Sequence, residues 1–348
     1  MPVPCPDTIP FYYTTTLHII STASVPVNLV GLYLVWYQSP GMQKYKYCLI
    51  YMQMASFLTE VHMSWICPGY YFFPMVGGFN TGEFFGQFIS SHLSMSIWLG
   101  VFCFELCAGL LCFVYRHYAA AMIQQDYSGK MYIEKAAIVS THMLPFFTTL
   151  GVYFSQLTFD QKYTYLKEKF PQCIFWLQSP AFEVYDYTLN PWLAITGIVG
   201  FGWVWVIGWY CFYLGVHTMI ILQRLRHHMS TATYNMHKQA LISLVMQMVI
   251  PGVFILIPLN ICLTTVITGT EALQELATDT MFLIGSHSML QCTVMILTNP
   301  RYRRVVREKT MAILKLDFMT ALQFPGSSVE PSERTGSFVR RYNQQQNA

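Results

Sequence analysis

Seven stretches of this sequence are each long and apolar enough to cross a lipid bilayer as a helix. The hydrocarbon core of a bilayer is about 30 Å thick and needs roughly 20 helical residues. None of the seven contains a lysine or an arginine. Only 11% of all residues are charged, against about 25% in a typical soluble domain, so lipid is the natural solvent for such a surface. The sequence therefore predicts an all-α membrane protein, a seven-transmembrane helix bundle with spans near 14–36, 47–68, 87–115, 136–157, 194–222, 240–266 and 279–298.

The basic residues predict the orientation of this bundle. If the N-terminal segment 1–13 lies outside the cell, 17 of the 20 lysines and arginines face the cytoplasm, as expected from the enrichment of positive charge on cytoplasmic loops. The first ten residues, MPVPCPDTIP, lack the basic start of a secretory signal peptide, so we expect the first apolar stretch to remain as a span. The prediction is a multi-pass plasma-membrane protein with its C-terminus in the cytoplasm.

Two carboxylic acids, Glu60 and Glu105, lie inside predicted spans. A charge at the bilayer centre costs roughly 2.5–3.5 kcal/mol on insertion scales, so each acid is expected to face the bundle interior, either protonated or paired. A polar core of Glu60, Glu105 and His287 would respond to a ligand or to ions; alternatively, neutral glutamic acids would only help the helices pack. The candidate partners are His62, His92, His142 and His287.

The sequence contains no pattern typical of an enzyme. A P-loop, an HExxH zinc motif, a pair of CxxC motifs and a GxSxG nucleophile turn are all missing. We therefore expect no catalysis, no cofactor and no metal site. Membrane lipid is an expected partner, and nucleic acid is not.

Three of the ten cysteines fall on the side predicted to be extracellular, namely Cys5, Cys67 and Cys173. One disulfide among them is expected in an oxidising compartment, and three pairings are possible. The pairing Cys5–Cys173 is favoured because it would tie two long outer segments together. Cys67–Cys173 and the absence of any disulfide remain alternatives.

Several residues at the predicted cytoplasmic end are candidates for a conformational switch. The third span ends in FVYRHYAAA, which places Arg116 at the membrane exit, and the seventh ends in ILTNPRYRR, with Asn299, Pro300 and Tyr302. A lone arginine is often only an interfacial anchor, and Asn-Pro can be only a helix stop. The sixth span contains Pro251 and Pro258, which predict either bends that let its end swing or a static kink.

The segment 299–348 is predicted to combine an amphipathic cytoplasmic helix with a disordered tail. Val305, Ala312, Ile313, Leu316 and Met319 share one helical face, and basic residues occupy another. Such a helix is typical of a membrane surface. From Pro325 onward the chain is polar and rich in serine, which is typical of disorder.

Four stretches carry a resemblance to the nematode serpentine chemoreceptors of the Str superfamily, with class I (Sri) the best match and class H (Srh) the next. They are CPDTIPFYYTTTLHII, YLVWYQSPGM, FVYRH and TNPRYRR. The resemblance to rhodopsin-like seven-transmembrane receptors is broader. The resemblance to the nematode chemoreceptors implies a G-protein-coupled receptor for environmental small molecules in the ciliary membrane of a sensory neuron, acting in olfaction or related chemosensation.

The same resemblance implies roles for individual residues. Arg116 corresponds to the arginine that gates G-protein coupling at the end of the third helix, although Tyr115 replaces the acid that usually precedes it. Asn299, Pro300 and Tyr302 stand for the seventh-helix Asn-Pro-x-x-Tyr motif, one residue short. The expected partners are an odorant or soluble chemical ligand and a heterotrimeric G protein.

Position alone predicts the ligand site near the outer ends of the helices. The alternative function is an ion channel or transporter that uses the intramembrane carboxylates, and the odd number of spans and the lack of internal repeats weigh against it. The predicted ligand-binding residues are His92, Ser94, Ser96, Trp98, Phe175 and Trp176.

Overall fold

In the computed structural model, the described residues are 5–6, 8–39, 44–80, 84–124 and 131–322. Within them the chain forms ten α-helices and one small sheet. The helices are α1 (Phe11–Tyr37), α2 (Tyr45–Val61), α3 (Ser91–Gln124), α4 (Met131–Tyr153), α5 (Phe159–Lys169), α6 (Trp192–Arg224), α7 (Thr231–Thr268), α8 (Gln274–Asp279), α9 (Met281–Thr298) and α10 (Pro300–Leu322).

Six helical segments among the described residues are long and apolar enough to span a membrane. They correspond to the first and the third to seventh predicted spans. The predicted second span is α2, which has 17 residues and continues as a π-helical turn over His62–Ile66. The predicted seventh span, 279–298, is α9, and the short helix α8 precedes it and meets it at Thr280.

Two helices extend well beyond the predicted spans. The third span was predicted to end at 115, but α3 continues to Gln124. The sixth was predicted to begin at 240, whereas α7 begins after the cap residue Ser230, whose hydroxyl accepts a hydrogen bond from the Thr233 amide. Both helices continue past the predicted edge of the bilayer, because a helix satisfies its own backbone hydrogen bonds in water as well as in lipid.

A three-stranded antiparallel sheet, which the all-α prediction did not include, lies at one end of the bundle. Its strands are β1 (Gly69–Tyr71), β2 (Gly77–Asn80) and β3 (Phe182–Val184), in the order β1-β2-β3. Gly78 pairs with Tyr71 of β1 and with Glu183 of β3, and an added Cβ there would lie 2.6 Å from the Tyr70 carbonyl oxygen. Strands of three or four residues carry too little periodicity to be recognised in a sequence.

The sheet, α5 and the 3-10 helix Pro171–Gln178 form a compact structure that we call the cap. Its apolar core includes Phe72, Leu166 and Trp176. The cap holds the N-terminal segment, because Cys5 forms a disulfide with Cys173 (Cα–Cα 5.5 Å) and the Trp176 indole donates to the Pro6 carbonyl (3.1 Å). Of the three pairings considered above, this is the favoured one; Cys67 is a buried free thiol.

A bundle with α3 near its centre is formed by α1, α2, α3, α4, α6, α7 and α9. Helix α3 contacts α2, α4, α6 and α7, and α9 contacts α1, α2 and α7. The cap lies at the end where α1, α3, α6 and α9 begin. At this end Tyr13 donates to the Gly69 carbonyl (3.0 Å) and Thr278 donates to the Tyr71 carbonyl (3.0 Å), so strand β1 is anchored to the helices beneath it.

Residues 304–348 form a separate unit from residues 1–303. Its described part is the continuation of α10, in which Arg304 and Glu308 form an exposed ion pair one helical turn apart (2.8 Å). The predicted helix is therefore present, and its position at a membrane surface stays a prediction. The predicted disordered tail, which begins at Pro325, lies outside the described residues.

Candidate ligand-binding and coupling sites

A network of buried polar side chains joins α1, α2 and α9, and we call this network, together with Glu60, Glu105 and His287 beside it, the polar core. Its hub is Asn28 on α1, whose amide donates to the Ser24 hydroxyl (2.7 Å) and whose carbonyl accepts from Ser288 of α9 (3.0 Å) and from Gln53 of α2. The Asn28 side chain is completely buried. Because lipid offers no competing hydrogen bonds, these bonds connect specific faces of the three helices.

The two intramembrane acids lie beside this network. Glu105 on α3 accepts a hydrogen bond from His287 Nε2 on α9 (3.0 Å). Glu60 is almost completely buried on α2, and the polar groups beside it include Ser24 and Ser288. Of the four candidate histidines, His287 is thus the one placed against Glu105.

The other three candidate histidines bond elsewhere. His62 contacts the Ser94 hydroxyl (3.1 Å). His92 bridges the Tyr185 hydroxyl (3.0 Å) and the Tyr153 carbonyl (2.9 Å), and His142 bonds the Ile138 carbonyl of its own helix (2.8 Å). These contacts give His92 a structural role in joining α3, α4 and the segment that follows β3.

A cavity of about 250 Å³ lies under the cap, and we call it the cap cavity. Its roof is the sheet and its floor is made by α3, α7, α9 and the π-helical turn. Trp98 of α3 lines it, and the indole N–H of Trp98 is buried and donates to no acceptor among the described residues. A buried donor without a partner costs free energy, so a ligand with a hydrogen-bond acceptor would complete this site.

The six predicted ligand-binding residues are therefore divided by the structure. Ser94 and Trp98 line the cap cavity. Ser96 is buried and bonds the His92 carbonyl of its own helix, Trp176 belongs to the core of the cap, and Phe175 is 40% exposed. Helical periodicity explains the first division, because Ser94 and Trp98 are one turn apart on one face of α3. Position in the outer loop could not predict which aromatic residues face inward.

Two ion pairs join helix α5 to strand β3 and the segment after it. The Lys162 ammonium forms a 2.5 Å ion pair with Glu183 of β3, and Lys169 lies 3.6 Å from Asp186. Burial opposes ionisation of Asp186, but hydrogen bonds from Thr188 and the nearby Lys169 hold the pKa of this carboxyl below its ordinary value. Two of the three lysines on the predicted outer side thus neutralise acids of the cap.

At the opposite end of the bundle, Arg116 lies over an aromatic ring. Its guanidinium carbon is 3.7 Å from the ring centroid of Tyr45, which also packs against Tyr115 (5.4 Å). Stacking of this kind is worth roughly 0.5–2 kcal/mol, more when water is excluded. Arg116 thus contacts α2 through an aromatic ring.

A hydrogen-bonded group beside Arg116 was not predicted from the sequence. His117 of α3 bonds Glu134 of α4 (2.7 Å) through Nδ1 and His217 of α6 (2.7 Å) through Nε2. Each of the three residues lies on a different helix, so spacing along the chain gave no signal. The group fastens the end of α3 to α4 and α6.

The motif after the seventh span has two different roles. The Asn299 side chain accepts from the Arg301 amide (3.1 Å) and its carbonyl accepts from the Arg303 amide (3.0 Å), so it caps α10. Pro300 begins that helix, where a missing N–H costs nothing. Tyr302 is buried and its hydroxyl bonds Ser39, which follows α1.

The two prolines of α7 lie inside a continuous helix. Pro258 is buried, whereas Pro251 lines a second cavity, between α3, α6 and α7. Each proline removes one backbone hydrogen bond from α7. Whether they permit a swing of the helix end stays a prediction.

The described residues contain no group of three or more His, Cys, Asp or Glu side chains placed to hold a metal ion. A sequence model described as serpentine type 7TM GPCR chemoreceptor Sri matches residues 3–306. The chain belongs to the Sri family. A search of curated proteins found no match to this Sri chain.

The match covers all the helices of the Sri bundle, the cap and both cavities, and ends within α10. Family membership therefore agrees with the seven-transmembrane, multi-pass helical architecture and assigns the chain to chemoreceptors. It also distinguishes the class I resemblance from its class H competitor. The family is described as one of chemoreceptors.

Proposed function

We propose that this Sri chain is a G-protein-coupled chemoreceptor that binds a compact environmental molecule in the cap cavity. The family assignment supports the receptor role, and the unpaired Trp98 indole supports the site. The cavity volume of about 250 Å³ is below the roughly 300–1,000 Å³ of pockets for drug-sized ligands. It therefore suits a smaller molecule. The chemical class we infer is a short-chain molecule with one hydrogen-bond acceptor, such as a ketone or an ester.

The proposed orientation places the cap outside the cell. The Cys5–Cys173 disulfide supports it, because disulfides persist on the extracellular side and are rare in the cytosol. The distribution of basic residues supports it independently. An epitope before residue 5 should be accessible to antibody on intact cells, and one after residue 340 only after permeabilisation. The reverse pattern would refute the receptor assignment.

Ligand binding is proposed to shift the population of helix arrangements and to open the face around Arg116 to a heterotrimeric G protein. Arg116 is suited to this role because its stacking on Tyr45 links α3 to α2. The basic residues Arg224 and Arg226 lie at the same end of the bundle, after or at the end of α6. The expected site of action is the plasma membrane of a sensory neuron, in its cilium. Membership in a receptor family gives the channel or transporter alternative no support.

The test is a screen of short ketones, esters and alcohols on cells that express the receptor, read as calcium or cAMP responses. For an agonist found in this way, Trp98→Phe should raise the half-maximal concentration by about tenfold, since one buried hydrogen bond is worth about 1 kcal/mol or somewhat more. Trp192→Phe is the matched control, because Trp192 packs against Phe154 and lines neither cavity.

Arg116→Ala should abolish the response to the same agonist while surface delivery persists. Lys167→Ala is its control, because the Lys167 ammonium also lies over a tyrosine ring, that of Tyr163 (5.9 Å), but on α5 at the opposite end of the bundle. Full signalling by Arg116→Ala would remove Arg116 from the coupling mechanism. An unchanged agonist potency in Trp98→Phe would remove the cap cavity as the ligand site.

A further inference from the structure

The second cavity, which lies between α3, α6 and α7 and which we call the chamber, differs from the cap cavity in both size and lining. It has a volume of about 750 Å³ and an almost entirely apolar wall. Its apolar lining includes Trp209 and Phe212 of α6 and Val249 of α7. All three side chains are also strongly exposed on the bundle surface, at 64%, 63% and 45%. Because this surface belongs to membrane-spanning helices, the cavity opens toward lipid.

The gap between α6 and α7 is also visible from their glycines. Gly208 of α6 and Gly252 of α7 both line the cavity. A Cβ atom built on either glycine would have no heavy atom within 4 Å. By contrast, a Cβ on Gly109 of α3 would lie 2.7 Å from the Met248 sulfur. The space beside the two glycines is therefore open, and larger side chains there would fill it.

The cavity reaches the polar core at one place. Glu105 and Gln291 are its polar lining residues. One carboxylate oxygen of Glu105 bonds His287, but the other, Oε2, is buried and accepts no hydrogen bond from any described residue. The Glu105 side chain is 9% exposed. An unpaired buried acceptor at the inner end of an apolar chamber is the expected counterpart of a ligand with an apolar body and one donor.

We propose that this cavity is a second binding site, which takes a lipid-soluble molecule with an apolar body and one hydroxyl group, and that the hydroxyl donates to Glu105 Oε2. The molecule enters from the membrane between α6 and α7. The site is separate from the cap cavity, and a molecule can occupy it whether or not the receptor signals. Occupancy would fill the space between the three helices and add to the contacts that α3 already makes with α6 and α7.

The test uses purified receptor in lipid nanodiscs and a photoreactive long-chain alcohol that carries a diazirine, with labelled peptides identified by mass spectrometry. Label is expected on α6 and α7. Unlabelled 1-dodecanol should compete roughly two- to tenfold better than dodecane or dodecyl methyl ether, because a buried hydrogen bond is worth roughly 0.5–1.5 kcal/mol. Equal competition by the three compounds would mean that the chamber only admits acyl chains, and it would overturn the proposal.

Variants that fill the chamber provide a second, independent arm. Gly208→Leu and Gly252→Leu should each reduce specific labelling at least about tenfold, and Gly202→Leu should leave it unchanged. Gly202 also has open space around it, is on α6, and does not line the cavity. Thermal unfolding measurements check that each variant is folded. If a variant is not folded, the competition experiment on wild-type receptor still tests the proposal. Unchanged labelling in folded Gly208→Leu and Gly252→Leu would also overturn the site, whatever the outcome of the signalling assays.

Discussion

The two sides of the bundle are built in different ways. On the side of the polar core, the share of the most apolar stretch that is buried inside the protein is 33% for α1 and 50% for the α8–α9 span, against 11% for α6 and 28% for α7. Side-chain hydrogen bonds join α1, α2 and α9 in the core, whereas the chamber between α6 and α7 is lined by apolar groups. The same chain therefore combines a directionally bonded side with a loosely packed side.

This difference separates the part of the receptor that is fixed from the part that is free to move. In lipid, apolar side chains gain little by leaving the solvent, so close packing and hydrogen bonds decide which helices stay together. The polar core has both, and the α6–α7 side has a chamber and two helix prolines instead. We therefore expect ligand-dependent motion in α6 and α7, with α1, α2 and α9 as the frame. Three comparisons of matched variants test that expectation.

The largest effect is expected from Asn28→Leu, which removes the hub of the polar core. It leaves Gln53 and Ser288 buried without the Asn28 carbonyl, and each unsatisfied group costs about 1–3 kcal/mol. Asn260→Leu on α7 is the matched control, because Asn260 is exposed and donates only to the Leu256 carbonyl of its own helix (2.6 Å). Unfolding is measured with a thiol-reactive dye, since the free cysteines of the described residues are all buried.

We expect a clearly lower unfolding temperature for Asn28→Leu and little change for Asn260→Leu. Equal losses would mean that the polar core contributes no more than any polar residue in a span. A receptor destabilised only by Asn260→Leu would reverse the assignment of frame and moving part.

A smaller effect is expected from Gly31→Ala, which tests close packing rather than hydrogen bonding. The added methyl would lie 2.2 Å from the Cys292 sulfur of α9, and overpacking of this kind typically costs about 1–3 kcal/mol. Gly202→Ala on α6 meets nothing within 4 Å and should be neutral or stabilising by up to about 1 kcal/mol.

The double variant Gly31→Ala/Cys292→Ala sharpens this comparison, because it removes the atom that the methyl would strike. Its thermal stability should recover toward that of Cys292→Ala alone. Failure to recover would mean that the backbone of α1 needs glycine for another reason, and a loss in Gly202→Ala equal to that in Gly31→Ala would contradict the difference between the two sides.

The sequence predicted the parts of the structure that depend on local pattern and missed those that depend on partners from distant segments. Hydropathy located the helices, although α3 and α7 each extend about nine residues beyond the predicted spans, and the cost of buried charge predicted that Glu105 would be either protonated or paired. The pattern could not choose His287 from four histidines, since their relative positions follow from helix rotation. The His117–Glu134–His217 group escaped for the same reason.

The cap shows a second limit. Its disulfide was one of three pairings that the cysteine positions allowed, and the preference for Cys5–Cys173 rested on loop length and not on geometry. The sheet consists of strands of three or four residues, too short for a two-residue period to be distinguished from irregular loop. Among the candidate ligand residues, only those on α3 had a helical period to orient them. Phe175 and Trp176 are adjacent in the chain, and folding of the cap placed one inward and one outward.

The smallest effect is expected where the two sides meet, between the first half of α7 and the end of α9. The Ser243 hydroxyl of α7 and the Thr298 hydroxyl of α9 are 2.6 Å apart, and Gln239 of α7 donates to the Thr298 carbonyl (3.4 Å). Hydrogen bonds between membrane helices are worth about 0.6 kcal/mol on average, which corresponds to a change of about threefold in a two-state population. If this bond holds α7 in its inactive position, Ser243→Ala and Thr298→Val should each raise basal signalling by about that factor.

Thr293→Val on α9 is the control, because the Thr293 hydroxyl donates to the Met289 carbonyl within its own helix (2.8 Å) and connects no helices. Signalling is measured without agonist and normalised to receptor at the cell surface. The double variant Ser243→Ala/Thr298→Val should signal no more than either single variant, because both remove the same bond. An additive increase would mean that each residue acts through other contacts, and unchanged basal signalling in both would mean that α7 moves without breaking its contact with α9. In that case the boundary between frame and moving part lies between α6 and α7, along the chamber itself.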